Sequence, residues 1–272
     1  MRLSESRTHT PTIAIIPARY ESSRFPGKAL AELGGRLLIE HVYRRASEVT
    51  AIDRVIVATD DPRIVAAVEA FGGIARLTSR HHASGTDRLA ELAVDLSCDL
   101  IVNVQGDEPL IAPRAIADAL APFASDPSLV LATLRHRITD PADLIDPNVV
   151  KVVVDRQGFA LYFSRSPIPF AFEEADRPAV YKHIGLYVYR RETLLRLAAL
   201  PPTALERSER LEQLRALEHG YRMLAVETVH DSIGVDTPAD LERVRGVLAG
   251  LREPSPRGAS SVPPRPDKSG AA

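Results

Sequence analysis

The chain has 272 residues, 45% hydrophobic and 26% charged, an ordinary globular composition with room for one large α/β domain or two small ones. Its 34 Lys and Arg nearly balance 36 Asp and Glu, so general nucleic-acid or anionic-membrane binding is excluded and any anion site is local. Cys98 is the only cysteine, which excludes an intrachain disulfide and a thiolate zinc site.

The first residues, MRLSESRTHTPT, lack the apolar core of a signal peptide, and no run reaches membrane-spanning length. A cytoplasmic protein without membrane insertion is expected, with residues 1–11 as a flexible N-terminus. Thr12–Ala18 is the first β-rich run. It ends in a loop carrying Arg19, Arg24 and Lys28 among Pro17, Pro26 and Gly27. Three cations at the carboxyl end of a strand suit a polyphosphate, although a solvated loop with scattered charge would read the same way. Neither GxxxxGK[ST] nor GxGxxG follows this strand, which removes a P-loop NTPase and a Rossmann dehydrogenase.

Helical spacing follows in Leu38, Val42, Ala46 and Val49, then a β-rich run, Arg54–Asp60, then helical spacing again in Ile64, Val65, Val68 and Phe71. In HHASGTDR (81–88), Ser84-Gly85-Thr86 stands ahead of a helix marked by Leu89, Leu92 and Val94. Gly85 would let the backbone approach a base or phosphate; Ser, Thr and Asp there suit simple capping equally well. Leu100–Asp107 is a third strand-like run, ending in Asp107-Glu108. Carboxylates at such an edge suit Mg²⁺, which takes one or two of them with phosphate oxygens and water. Asp236, just before the helix start Thr237-Pro238-Ala239-Asp240, is a second candidate. A charged turn and a helix-entry acid are the plainer alternatives.

The middle of the chain breaks the rhythm. Val149–Asp155 and Phe159–Arg165 flank a Gly158 turn and predict a hairpin, and Tyr181–Arg190 resumes a strand pattern. Residues 135–190 are therefore expected to form an antiparallel insertion of the kind that covers itself in a homodimer. Arg165, His183, Tyr187, Glu212 and Gln213 have the chemistry to hold a polyhydroxylated acid, while His183 could equally be a structural histidine. Leu205, Leu211, Leu214 and Leu217 predict a buried helical stripe, and Glu206, Glu209 and Glu212 a solvated face. Residues 251–272 read as a disordered Pro/Ser-rich tail. The βαβ alternation over 12–250 predicts one domain built on a mostly parallel, doubly wound sheet, with the antiparallel β subregion inserted.

Taken in order, IIPARYESSRFPGKAL, VATDD, SGTDRLAE, VNVQGDEPLI, ALYFSRSPIP, YKHIGLYVYRRE, LEQLR and GVDTPADLERV resemble the 3-deoxy-D-manno-octulosonate (Kdo) cytidylyltransferases from about residue 12 to 248. Several blocks are shared with sialic-acid cytidylyltransferases, whereas YFSRSPIP, KHIGLY, LEQLR and GVDTPADL point to the Kdo branch. The resemblance implies a fold of the nucleotide-diphospho-sugar transferase type, a homodimer, and CTP + Kdo → CMP-Kdo + pyrophosphate with Mg²⁺, in lipopolysaccharide biosynthesis. It implies that Arg19, Arg24 and Lys28 hold the triphosphate, that Ser84, Gly85, Thr86, Asp87, Arg88 and Gln105 contact the cytidine, and that Asp107 and Asp236 bind the metal. Arg165, His183, Tyr187, Glu212 and Gln213 would hold the sugar acid, with Arg19, Lys28 and Asp107 carrying catalysis. His81 and Asp87 depart from the usual Asp and Glu of the family at these places, which weakens the base-loop assignment. A transferase for a related acidic sugar and a catalytically silent nucleotide-binding protein are the rival readings.

Overall fold

The computed structural model describes residues 11–21, 24–82, 84–173 and 177–250; residues 1–10 and the tail expected over 251–272 lie outside the described residues. The chain opens with β1 (Thr12–Ala18), the small hairpin β2 (Glu32–Leu33) and β3 (Arg36–Leu37), α1 (Leu38–Ser47), β4 (Arg54–Thr59), α2 (Pro62–Ala70), β5 (Ala75–Leu77) and α3 (Gly85–Asp95). It continues through β6 (Leu100–Asn103), α4 (Pro113–Leu120), α5 (Pro122–Ser125), β7 (Leu131–Arg137), α6 (Pro141–Ile145), β8 (Lys151–Val154) and β9 (Ala160–Ser164). It closes with β10 (Tyr181–Arg190), α7 (Arg191–Ala198), α8 (Ala204–Glu209), α9 (Gln213–Glu218), β11 (Leu224–Glu227) and α10 (Pro238–Leu248).

Local chemistry starts the helices as the sequence suggests. Asp61 caps α2 ahead of Pro62, and Ser84 with Asp87 forms a reciprocal capping box on α3. Thr237 and Asp240 do the same for α10 around Pro238. The main sheet has the order β11-β7-β10-β6-β1-β4-β5, with β8 and then β9 branching from β10. β1 runs parallel to β4 and β6, β4 to β5, and β7 to β11; β10 alone runs against its neighbours β6 and β7. Alternate residues of β1 enter two separate cores. Ala14 and Ile16 join Val42 of α1, Ile64 of α2, Ile116 of α4 and Val244 of α10. Ile13 and Ile15 join Leu89 of α3, Leu194 of α7 and Leu214 of α9 on the other face. Helices on both faces of a mostly parallel sheet make the predicted doubly wound architecture.

Three expectations change. Tyr181–Arg190 is an integral strand of the main sheet, between β7 and β6, and the β8–β9 hairpin branches from its first residues rather than forming an insertion with it. Val94 is 60% exposed; α3 instead buries Arg88, Leu89 and Ala93. The stretch 204–218 is two helices, because Arg210 takes a left-handed φ of 54° between α8 and α9. That break separates Glu212 from the other two acids, and none of the three is left on a bare solvated face: Glu206 is buried against Arg215, Glu209 caps the end of β9, and Glu212 faces Thr86.

Candidate active site

Two groups of side chains meet at the carboxyl edge of the parallel strands. The first is an ion cluster. The loop after β1 folds back through a Gly27 N–H bond to the Tyr20 carbonyl at 2.7 Å. Gly27 has φ 73°, and a Cβ there would lie 3.3 Å from the Tyr20 ring, so the turn favours glycine. Its exit places Lys28 Nζ 2.7 Å from Asp107 Oδ2, 3.2 Å from Asp236 Oδ1 and 2.8 Å from the Val235 carbonyl. Arg24 closes the outer side at 2.9 Å from Asp236 Oδ2. The cations and acids singled out in the sequence therefore converge, although 79 and 208 residues separate Lys28 from its two carboxylate partners. Asp107 is brought in by Gly106, where a Cβ would sit only 2.6 Å from the Pro17 carbonyl of β1.

The donor set fits a hard divalent cation. Two carboxylates address one point already filled by a positive group, and among the described residues no third His, Cys, Asp or Glu completes a protein-only cage. A pair of carboxylates that needs phosphate oxygens to complete its shell is what Mg²⁺ with a nucleotide requires. Glu108, the next residue, is pushed up to about 7 by burial, with the Asp107 and Asp231 charges adding to the rise.

The second group lines a cavity of about 310 Å³ beside the cluster. Gly85 and Thr86 from the start of α3, Gln105 after β6, His183 and Tyr187 from β10, and Glu212 and Gln213 at α9 all face it, as predicted residues of one site. The antiparallel direction of β10 within the sheet explains the meeting, since it pairs Tyr187 with Asn103 and carries His183 past the end of β6. Thr86 donates to Glu212 at 2.8 Å, and Gln105 donates to Asn103 at 3.3 Å. His183 packs edge-on against Phe163 at 4.9 Å and beside Tyr187 at 5.4 Å. Burial lowers its pKa to about 3, and burial likewise raises the Tyr187 and Tyr189 hydroxyls, so all three are neutral.

Five predicted residues enter neither the ion cluster nor this lining. Ser84 and Asp87 are occupied with each other in the capping box. Arg88 is fully buried, bound to Asp60 at 2.8 Å and to Thr78. Arg165 directs its guanidinium to the carbonyls of Glu209 and Pro147, at 2.8 and 2.9 Å. Arg19 follows directly on β1; burial lowers the pKa of Arg88, and the Arg19 charge adds to that lowering. The structure adds Asn103, Tyr189, Arg210 and Arg215 to the cavity wall. Tyr189 could have been found as the next same-face residue after His183 and Tyr187 in the strand; the others carried no signal.

A family model described as cytidylyltransferase matches residues 13–227. A 3-deoxy-manno-octulosonate cytidylyltransferase of Geobacter sulfurreducens is 55% identical over 241 residues, covering 85% of this chain and 96% of the relative. Its counterpart in Geotalea daltonii is 56% identical over 241 residues, covering 85% and 95%. A solved CMP:2-keto-3-deoxy-manno-octonic acid synthetase complexed with CTP is similar at a TM-score of 0.85 and 46% identity, covering 89% of this chain and 99% of that one. A 4-diphosphocytidyl-2C-methyl-D-erythritol synthase of Anaerococcus prevotii shares the fold at a TM-score of 0.60 and 15% identity, covering 88% and 99%. With the family model matched over residues 13–227 and relatives above 50% identical over most of the chain, the chain belongs to the 3-deoxy-manno-octulosonate cytidylyltransferase family.

Proposed function

We propose that this protein transfers CMP from CTP to the anomeric hydroxyl of Kdo and releases pyrophosphate. One juxtaposition carries the reading: the turn after β6 places Gln105 in the polar cavity and Asp107, two residues on, in the Lys28 cluster. A sugar acid in the first and a triphosphate at the second would meet across Gly106.

Arg19, Arg24 and Lys28 bind the triphosphate in this reading, with Lys28 exchanging its carboxylate partners for phosphate oxygens. Gly85, Thr86 and Gln105 face the cytidine, and His183, Tyr187, Glu212 and Gln213 face the sugar hydroxyls. Asp107 and Asp236 hold Mg²⁺, which when bound supplies charge neutralisation at the α-phosphate and a lowered pKa for the attacking hydroxyl. Transfer of this kind rests on positioning and charge, so the protein needs no covalent intermediate. Arg19 and Lys28 stabilise the charge that builds on the departing pyrophosphate. We place the reaction in the cytoplasm, where CTP is available; among the described residues no helix is long and apolar enough to cross a membrane.

Pyrophosphate release measured with CTP, Mg²⁺ and Kdo tests the proposal. CTP-dependent release with Kdo is expected, weaker with sialic-acid-type or amino analogues. No release with any 2-keto sugar acid would establish a silent nucleotide-binding protein instead.

A further inference from the structure

The antiparallel ladder between β7 and β10 contains a break. Leu134 pairs with Ile184, but the next residue of β7, Thr133, pairs with Tyr187, leaving Gly185 and Leu186 as a bulge at the cavity edge. Bulges of this kind free backbone carbonyls from the ladder and re-aim the side chains beside them. Thr133 is fully buried beneath the bulge, and its hydroxyl lies 2.7 Å from the Leu186 carbonyl and 3.3 Å from that of Ile184. The same oxygen is 2.9 Å from His183 Nε2.

These contacts determine where the imidazole proton sits. A hydroxyl has one hydrogen and two lone pairs, and a carbonyl can only accept. The Thr133 hydrogen belongs to the nearer carbonyl, that of Leu186. Its oxygen then meets His183 with a lone pair, so Nε2 must carry a hydrogen. An unprotonated Nε2 would set lone pair against lone pair at 2.9 Å in a buried place, where an unmade hydrogen bond is costly. A neutral imidazole protonated at Nε2 has a bare Nδ1. Gln213 agrees with this, since its side-chain N–H approaches Nδ1 at 3.5 Å as a weak donor. The burial that keeps His183 neutral removes the alternative in which both nitrogens donate.

We propose that Thr133 is a positioning residue that holds His183 as the neutral Nε2–H tautomer, so that Nδ1 reads a hydroxyl of the sugar acid as an acceptor and takes no part in binding its carboxylate. The proposal rests on the reading that places the sugar acid in this cavity. It assigns the histidine a selectivity as well as a location. A substrate with a hydroxyl at that place donates to Nδ1 in place of the long Gln213 contact, and one lacking it leaves the nitrogen with that weak contact alone.

Imidazole ¹⁵N–¹H correlation spectra of histidine-labelled protein at pH 7.5 test the tautomer directly. The signal of His183 among the eight histidines is assigned by its loss in His183→Gln. The expected pattern is a protonated Nε2 and an unprotonated Nδ1. Thr133→Val, which keeps the shape and removes the hydroxyl, is expected to lose the single-tautomer pattern. It should raise KM for the sugar acid by about tenfold, with KM for CTP within about twofold, as for one lost hydrogen bond. Thr133→Ser restores both readouts. A protonated Nδ1 or a charged ring in the wild type overturns the proposal, as does a Thr133→Val enzyme with unchanged spectrum and KM. An unaltered sugar-acid KM in His183→Gln, beside an Nε2–H spectrum in the wild type, would overturn only the placement of the substrate.

Discussion

Lys28, Asp107 and Asp236 hold opposite charges within 3.2 Å of one another, yet they contribute little to the fold. The Asp107 side chain is 32% exposed and that of Asp236 47%. Ion pairs so open to water stabilise by roughly 0–1 kcal/mol. The same charges facing an incoming triphosphate are worth far more, because they act on charge that develops in a confined site. Asp107→Asn is therefore expected to cut turnover by at least about 10²-fold while moving Tm by no more than about 3 °C. Steady-state pyrophosphate release and thermal unfolding check the two halves, and near-normal turnover would exclude Asp107 from the metal seat. Arg88 and Lys151 are the contrasting case. Arg88 is sealed against Asp60, and Lys151, fully buried, donates to the carbonyls of Asp146, Val149 and Arg165 at 2.8, 2.6 and 2.6 Å. Charges with every contact turned inward hold the chain together; the family resemblance assigns Arg88 to the base loop, and its guanidinium is bound to Asp60 and Thr78.

The break between α8 and α9 shapes one wall of the cavity, and its anchor is a buried ion pair. Arg215 donates to Glu206 through Nε at 2.8 Å and through a terminal nitrogen at 2.5 Å, with both side chains about 10% exposed. Burial raises the Glu206 carboxyl, but the Arg215 hydrogen bonds, the Thr203 N–H and the Arg215 charge outweigh it and leave the pKa below the usual 4.5. A carboxyl depressed in the folded state stabilises above its unfolded pKa, and that contribution disappears as pH falls through the folded value. Glu206→Gln should cost about 3 kcal/mol at pH 7, since one buried charge loses its partner. The gap in Tm between wild type and variant should hold from pH 7 to near 5 and narrow below 4.5. A gap that widens on acidification would show that Glu206 is not held ionised. This pair also marks the limit of what the sequence discloses. β1 and β10 were legible to the residue, because β-rich runs between turn signals depend on local chemistry. The acids 206, 209 and 212 do not form a solvated face because spacing says which side chains share a face and not what packs on it: Arg215 covers Glu206, the end of β9 covers Glu209, and nothing local marks Arg210 for the left-handed φ that sets Glu212 apart. Thr133 carries no such signal either: its role arises from a bulge whose Leu186 carbonyl lies 53 residues away in sequence.

The molecule as a whole leaves one part of its surface unexplained by the site. Leu161 on β9 is 62% exposed, and Phe170 and Phe172 in the following loop are 85% and 91% exposed. β9 pairs along its length with β8, and its other side meets the chain beside β11 at its start, where the Ala160 N–H donates to the Met223 carbonyl at 2.8 Å. Exposed large apolar side chains are what an association surface would cover, and the family resemblance implies a second copy of the chain as the partner to test. The same strand reaches the substrate side, because Phe163 of β9 packs on the His183 ring at 4.9 Å. Association through this region would then brace the cavity wall while leaving the Lys28 cluster untouched. Wild-type protein is expected to sediment as a dimer, and the double variant Phe170→Asp, Phe172→Asp as a monomer at micromolar concentration. The monomer should show a raised KM for the sugar acid with KM for CTP unchanged. A wild-type monomer, or a double variant that remains dimeric, would move the interface elsewhere; a monomeric variant with both constants unchanged would separate assembly from catalysis.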